Sequence, residues 1–135
     1  MSSWLLPALL AVICFGLWGL FAKLAALHID ARSALFFQAV GYFVIGLLTL
    51  NLLKYKPEAN VKGLSFAILS GVASAVGCLF YFYAADKGRT STVVTMTALY
   101  PVVTILLAFM MMRESIDLRQ SFGIFLGLVA IYFLS

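Results

Sequence analysis

Long uncharged stretches constrain this chain more than any other feature of its sequence. Five apolar runs extend from Trp4 to Leu27, Ala34 to Leu53, Gly63 to Ala85, Thr92 to Met112 and Gln120 to Leu134, and the only charge within them is Lys23. A helix needs about 20 mainly apolar residues to cross a bilayer. The sequence therefore predicts an all-α, polytopic membrane protein with five transmembrane helices, the last of which, at roughly 22 Å, is short for a span.

Composition excludes a soluble domain. Of the 135 residues, 64% are hydrophobic and 10% are charged, whereas soluble domains have roughly 45–50% and 25%. The joints between the runs are too brief to hold a soluble domain, so residues 1–135 are expected to form one membrane domain. We expect it to lie in the cell (plasma or inner) membrane. No Lys or Arg precedes the first run, which we therefore expect to be retained and not cleaved as a signal peptide. The net charge of +4 is spread over loops and suits lipid headgroups better than nucleic acid.

The sequence offers few residues that could carry out catalysis. The five acidic residues lie in loops or at helix ends, the single histidine is in a loop, and both cysteines lie inside spans. These residues form no catalytic triad, metal-spaced cluster or phosphate loop. We therefore expect no enzyme activity, no metal and no cofactor. A proton antiporter would hold a carboxylate within the membrane, so that mechanism is disfavoured as well.

The odd number of spans suggests a partner. Positive charges number five on the amino-terminal side (Lys54, Lys56, Lys62, Arg113, Arg119) and four on the other (Lys23, Arg32, Lys87, Arg89). Such a small bias leaves both orientations open, hence dual topology. Two copies in opposite orientations would form an inverted pair of the kind that carriers use. We expect an antiparallel homodimer, or a heterodimer with a homologous half.

The fourth run has the most polar character. Pro101 has no N–H for the carbonyl of Thr97, so the helix is predicted to kink there. Thr97 and Thr104 are seven residues apart, with Tyr100 beside them, and such a stripe at a kink is typical of a substrate lining. The alternative is that these hydroxyls bond back to their own helix.

Four further residues in the first three runs are substrate-binding candidates. Lys23 could attract an anionic substrate or could extend to the headgroups. Trp18 could bind substrate or pack, and Tyr81 could line a cavity or anchor at the interface. The amide of Gln38 is expected to face inward, because a polar group is costly in lipid.

The fifth run carries a small-residue face. Gly123 and Gly127 are four residues apart and Ala130 continues the same face. This spacing permits close approach of two helices, so we predict a dimer interface there.

Taken together, these motifs resemble a single EamA-type repeat of the drug/metabolite transporter superfamily over nearly the whole length. The resemblance is carried by the following residues: Trp18-Gly19 with Lys23, the stretch YFYAADKG from Tyr81 to Gly88, and Ser91, Pro101, Thr104, Glu114, Gln120 and Gly123 within the block from Thr90 to Gly127. It implies a transporter of small solutes such as amino acids, metabolites or drug-like compounds, built in this family from two inverted five-helix repeats. This chain carries one repeat.

The resulting hypothesis is a carrier that works by alternating access as an antiparallel dimer in the lipid bilayer. Two alternatives remain. One is a non-transporting membrane subunit of a heteromeric complex, and the other is a lipid-linked sugar flippase.

Overall fold

A computed structural model describes residues 4–57, 60–112 and 117–134. Within these ranges the regular structure is entirely helical. The helices are α1 (Leu5–Ala26), α2 (Ala31–Leu52), α3 (Val61–Lys87), α4 (Thr90–Thr97), α5 (Tyr100–Met112) and α6 (Leu118–Leu134). The all-α prediction is confirmed for the described residues.

Four segments of the described chain are long and apolar enough to cross a membrane, not the five predicted from the sequence. They are Leu5–Ala26, Ala31–Leu52, Val61–Lys87 and Thr90–Met111, the last of which contains α4 and most of α5. The predicted fifth span corresponds to α6, which has 17 residues. Its length of about 25 Å is less than the roughly 30 Å of a bilayer's hydrocarbon core.

The fourth candidate span is interrupted. Helix α4 ends at Thr97 and α5 begins at Tyr100, one residue before Pro101, so the structure has a break where a kink was predicted. The N–H of Leu99 donates to the carbonyl of Met96 at 3.2 Å, and that of Val102 to the carbonyl of Leu99 at 3.0 Å. These bonds join residues three apart, the tighter spacing typical of interrupted helices.

Polar residues in the joints set two helix starts. The Asp30 carboxylate accepts hydrogen bonds from the N–H groups of Arg32 and Ser33, at 3.1 and 3.4 Å, and so caps α2. Before α3, the Asn60 side chain accepts from the N–H of Lys62 at 3.0 Å. Each side chain satisfies N–H groups that the first helical turn leaves unpaired.

The chain divides into two compact units, Met1–Lys87 and Gly88–Ser135. In the first, which we call the α1–α3 unit, each helix packs against the other two. In the second, α4 packs against α6, and Val93 of α4 is buried.

Packing within the α1–α3 unit is concentrated at one end. The buried residues are Gly19, Ala22 and Ala26 of α1, Ala31 and Ala34 of α2, and Cys78, Tyr81, Phe82 and Ala85 of α3. We call this part the buried end. Residues 5–17, 39–49 and 61–74, which form the open end, include no buried residue.

The outward-facing surface of the helices is apolar. Large hydrophobic side chains such as Phe43, Phe66 and Phe80 are about two-thirds exposed. A soluble protein rarely exposes so much contiguous apolar surface, whereas the hydrocarbon of a bilayer accommodates it. The described helices are therefore those of a multi-pass membrane protein.

Candidate functional site

Small side chains bring the three helices together at the buried end. Ala26, Ala34 and Ala85 are 6%, 3% and 1% exposed, and alanine allows close approach of helix backbones. Phe82, 2% exposed, is the largest fully buried side chain of the described residues. Polar side chains that join the three helices lie next to this packing.

A hydrogen-bonded group links all three helices next to this packing. The indole Nε1–H of Trp18 in α1 donates to Oε1 of Gln38 in α2, at 3.2 Å. The Nε2 of Gln38 donates to the hydroxyl of Tyr42 at 2.8 Å and to Sγ of Cys78 in α3 at 3.2 Å. We call these four residues the Gln38 network. The predicted inward orientation of Gln38 is thus realised as contacts with two other helices.

Two aromatic rings adjoin the Gln38 network. The rings of Trp18 and Tyr81 pack with centroids 4.8 Å apart at an angle of 43°, a tilted contact that suits aromatic pairs. The hydroxyl of Tyr81 donates to the carbonyl of Gly19 at 3.3 Å, and a Cβ placed on Gly19 would lie 3.6 Å from that hydroxyl oxygen. Tyr81 is therefore a buried helix–helix contact in this structure.

The ammonium group of Lys23 closes the carboxyl end of α3. Its Nζ donates to the carbonyl oxygen of Ala85, which is within the last turn of α3, where carbonyls have no partner in the helix. A cation is also favoured there by the helix dipole. Nearby, Nε of Arg32 donates to the hydroxyl of Tyr83 at 3.2 Å, joining α2 to α3.

Three threonine hydroxyls of α4 and α5 bond within their own helices. Thr95 donates to the carbonyl of Ser91 at 2.6 Å, and Thr97 to that of Val93 at 2.9 Å. In α5, Thr104 donates to the carbonyl of Tyr100 at 3.2 Å. A hydroxyl that donates to its own helix keeps its acceptor lone pairs, so these side chains are satisfied without a partner helix.

A shallow groove of about 190 Å³ lies between α5 and α6. It is lined by Val102, Ile105, Leu106, Ser121 and Ile124. Ser121 is its one polar lining residue, and its hydroxyl donates to the carbonyl of Asp117 at 3.2 Å. None of the predicted substrate-binding residues lines this groove.

Electrostatic features of the joints are few. Hydrogen bonds from Ser33, first from its side chain and then from its N–H, and from the N–H of Arg32 lower the pKa of Asp30 below its usual value. His28 is exposed, and its Nδ1 bonds to the carbonyl of Leu24 at 2.8 Å. Across the described ranges, no three His, Cys, Asp or Glu side chains are arranged to hold a metal ion.

A model of the EamA-like transporter family matches residues 2–135 of the chain. The chain belongs to the EamA-like transporter family. The resemblance seen in the sequence is thereby confirmed, and this EamA-like chain is a multi-pass protein of the plasma membrane and a member of a transporter family.

Curated relatives are of two kinds. An uncharacterized protein of Methanocaldococcus jannaschii, MJ1333.1, is 31% identical over 139 residues, which cover 100% of this chain and 98% of that protein. The glucose uptake protein GlcU of Staphylococcus xylosus is 33% identical over 103 residues, which cover 76% of this chain but 34% of GlcU. A probable glucose uptake protein GlcU of Staphylococcus epidermidis is 29% identical with the same coverage. The match thus spans about a third of the length of these GlcU proteins. No solved structure matches it.

Three of the predicted substrate-binding residues, Trp18, Gln38 and Tyr81, come together in the α1–α3 unit. Lys23 lies in the same unit and bonds to the backbone of α3. Thr97, Tyr100, Pro101 and Thr104 belong to the second unit of this EamA-like chain.

Sequence reasoning missed Cys78 and Tyr42 as members of a polar group. Gln38 and Tyr42 are four residues apart and therefore lie on one face of α2. Nothing in the sequence pairs α2 with Cys78, forty residues further on.

The predicted dimer face lies on α6. Gly123 and Gly127 are exposed, and a Cβ built on either would meet nothing within 4 Å. The side chain of Ala130 is outside the described residues, as are Glu114 and the side chain of Gln120, which contributed to the resemblance.

Proposed function

We propose that this chain is one half of a carrier for small polar solutes, and that two copies in opposite orientations form the working transporter by alternating access. Family membership supports transport. The observation that carries the choice of site is the Gln38 network, because it brings amide, indole and hydroxyl groups of different helices together within helices whose residues are mainly apolar. Polar groups at membrane depth are costly, and in membrane proteins they commonly mark solute pathways.

Glucose is the first solute to test. The glucose uptake proteins of two staphylococci match three-quarters of the chain, and this similarity supports a sugar or another neutral solute. The carboxylates among the described residues belong to Asp30, Asp86 and Asp117, at helix ends or in joints. No carboxylate described in the helix interiors would serve as a proton site, which favours facilitated movement or exchange over proton coupling.

The dimer proposal requires a fifth crossing by α6. Its 17 residues are fewer than an average span requires, but a bilayer thins around a short helix at a modest energetic cost. Five crossings place the two termini on opposite faces of the membrane. A second, inverted copy then supplies the other half of a carrier, as in transporters with inverted repeats.

We further propose that α6 supplies the contact between copies. Gly123 and Gly127 expose a flat surface that a second helix could approach closely, and Ala130 continues the same face in sequence. We propose that the path in the second unit is lined by Thr97, Tyr100, Pro101 and Thr104. The helix is interrupted there, and backbone groups freed by such an interruption can contact a solute or water.

Reconstitution of the purified chain into liposomes tests transport. We expect saturable uptake of radiolabelled D-glucose, inhibited by related sugars. Absence of flux for glucose and for a broad solute panel, together with co-purification of one partner protein, would replace the carrier with a non-transporting subunit. Movement of a lipid-linked sugar without soluble solutes would identify a flippase.

Cross-linking tests the dimer. We expect Gly127→Leu to lower dimer yield in lipid because the new side chain forces the helices apart. Gly16→Leu is a matched control, since Gly16 of α1 also meets nothing within 4 Å and the substitution is identical. Equal dimer yields for both variants would reject the α6 interface. Reporter tags at each end of the chain in intact cells would show two orientations if the dimer is antiparallel.

A further inference from the structure

The orientation of the Gln38 amide is fixed by its neighbours. The indole of Trp18 can donate a hydrogen bond but cannot accept one. Its contact with Gln38 at 3.2 Å therefore requires the amide oxygen on the Trp18 side. The NH₂ group must then face Tyr42 and Cys78, at 2.8 and 3.2 Å, and both of its hydrogens are used.

This arrangement of hydrogen bonds determines whether the Tyr42 hydroxyl acts as a donor. Its hydroxyl oxygen accepts from Gln38, so the hydroxyl proton is directed to another acceptor. Ser74 and Cys78 of α3 lie close enough to this hydroxyl to be possible acceptors within the protein, and a solute would take their place. The residue as a whole is 53% exposed, unlike Tyr81, which is 5% exposed and donates to Gly19.

Tyr42 also lies where the two ends of the α1–α3 unit meet. Gln38 is half-buried, and residues 39–49 of α2 are all exposed. Tyr42 is one helical turn from Gln38 toward the open end. A solute entering from the open end would therefore meet Tyr42 before it met Gln38 or Trp18.

We infer that Tyr42 is a specificity-determining residue that donates a hydrogen bond to a hydroxyl oxygen of a neutral solute, with Gln38 as its positioning residue. This inference rests on the proposed carrier function. Trp18, packed against Tyr81, adds an adjacent aromatic surface for the apolar face of such a solute. No member of the Gln38 network carries a formal charge, so a charged solute would lose hydration without gaining a counter-charge.

The test combines a change in the protein with a change in the solute. Glucose and its monodeoxy analogues are compared in proteoliposomes containing the wild-type chain, Tyr42→Phe or Tyr55→Phe. Tyr55 is 70% exposed and lies between α2 and α3, so its variant removes the same hydroxyl away from the helices. Tyr42→Phe removes one oxygen from a half-exposed side chain and is expected to fold, which gel filtration in detergent checks.

For Tyr42→Phe we expect KM for glucose to rise about 3- to 10-fold, the range of one hydrogen bond, while Tyr55→Phe leaves it unchanged. One monodeoxy analogue, lacking the hydroxyl that Tyr42 contacts, should have the same KM in wild type and Tyr42→Phe. In Gln38→Leu, Tyr42 keeps its proton but loses its orientation. We expect KM for glucose to rise there too, and to rise little further in the double variant.

Several results would overturn the inference. These are an unchanged KM for glucose in Tyr42→Phe, an equal rise for glucose and every analogue, or transport by the wild type of charged solutes in place of glucose. Each of them leaves the carrier proposal intact. If the wild-type chain transports no solute, the proposed function itself fails, and the two failures are thereby distinguished.

Discussion

The buried end and the open end of the α1–α3 unit both consist mainly of apolar residues, yet only the buried end is packed. At the buried end, alanines and Phe82 are enclosed and five side-chain hydrogen bonds join different helices. At the open end, residues 39–49 and 61–74 are all exposed, and Gly41, Gly46 and Gly71 meet nothing within 4 Å.

The difference shows that apolar character does not decide where these helices meet. Lipid is as apolar as a leucine side chain, so helix association in a membrane depends on close packing and on interhelical hydrogen bonds. Both are present at the buried end. The open end remains available to lipid, to solute or to a second copy, which agrees with the proposed entry of solute past Tyr42.

The largest expected effect is that of emptying the buried end. Phe82→Ala should lower the free energy of unfolding by about 2 kcal/mol. This is less than the roughly 3–5 kcal/mol of an aqueous core, because transfer into lipid contributes little and mainly the cavity term remains. Unfolding in mixed detergent, followed by tryptophan fluorescence, measures the change.

Phe80→Ala is its matched control. Phe80 is two residues away on the same helix and 66% exposed, against 2% for Phe82. We expect little change for Phe80→Ala. Equal losses for both variants would mean that the buried end has no special role in stability.

A smaller effect is expected from breaking the bonds between helices. Gln38→Leu leaves the Trp18 N–H without its acceptor. We expect the free energy of unfolding to fall by about 1 kcal/mol. Thr49→Val in the same helix removes a bond to the carbonyl of Ile45, at 2.9 Å, which remains within α2. We expect Thr49→Val to change the free energy of unfolding by close to zero, since the Ile45 carbonyl keeps its hydrogen bond within the helix. If Thr49→Val is as destabilising as Gln38→Leu, bonds between helices have no special role in stability.

Removing the cap on α3 should have a local effect. Lys23→Met loses the bond to the Ala85 carbonyl and the favourable cation at the helix end, together worth about 0.5–1 kcal/mol. Hydrogen exchange should accelerate in the last turn of α3 but not near residue 66 at its other end. Lys23→Arg retains the charge and should restore part of the protection. Unchanged exchange in Lys23→Met would show that the ammonium does not cap α3.

The smallest effect is expected at the Asp30 cap. The lowered pKa of Asp30 means that the folded state favours the ionised carboxyl. Its contribution to stability is therefore present above the ordinary Asp pKa of about 4 and is lost as pH falls through the lower folded value. Asp30→Asn keeps a capping side chain but removes the titration. A chemical-shift titration of Asp30 in detergent checks the direction, and a pKa at or above the ordinary value would contradict it.

The length and composition of the apolar runs were sufficient to predict four spans and their approximate bounds. For the fifth, the apolar run between Gln120 and Leu134 gives a helix of only 17 residues, shorter than an average span. Pro101 indicated the site of the helix interruption but not its form, because the missing N–H and the ring are compatible with a kink or a break. A single residue type rarely distinguishes the two.

The sequence predicted individual residues of the candidate site, but it did not predict which of them contact one another. Gln38 was expected to face inward, and it does, yet its partners on α1 and α3 follow from helix packing, which sequence spacing does not encode. Trp18 had a packing alternative, whereas Tyr81 was expected to line a cavity or to anchor at the interface. In the structure their two rings pack against one another. Lys23 had two alternatives, substrate attraction or extension to the headgroups, and its contact with a helix end was neither of them.

Initial rates of D-glucose uptake into proteoliposomes test the central claim, that the Gln38 network is the solute site of a carrier. The account predicts saturable uptake by the wild-type chain, near-normal uptake by Thr49→Val, and at least tenfold lower kcat/KM for Gln38→Leu at equal amounts of folded protein. Wild-type flux no greater than that of empty liposomes, or equal kcat/KM for Gln38→Leu and wild type, would contradict it.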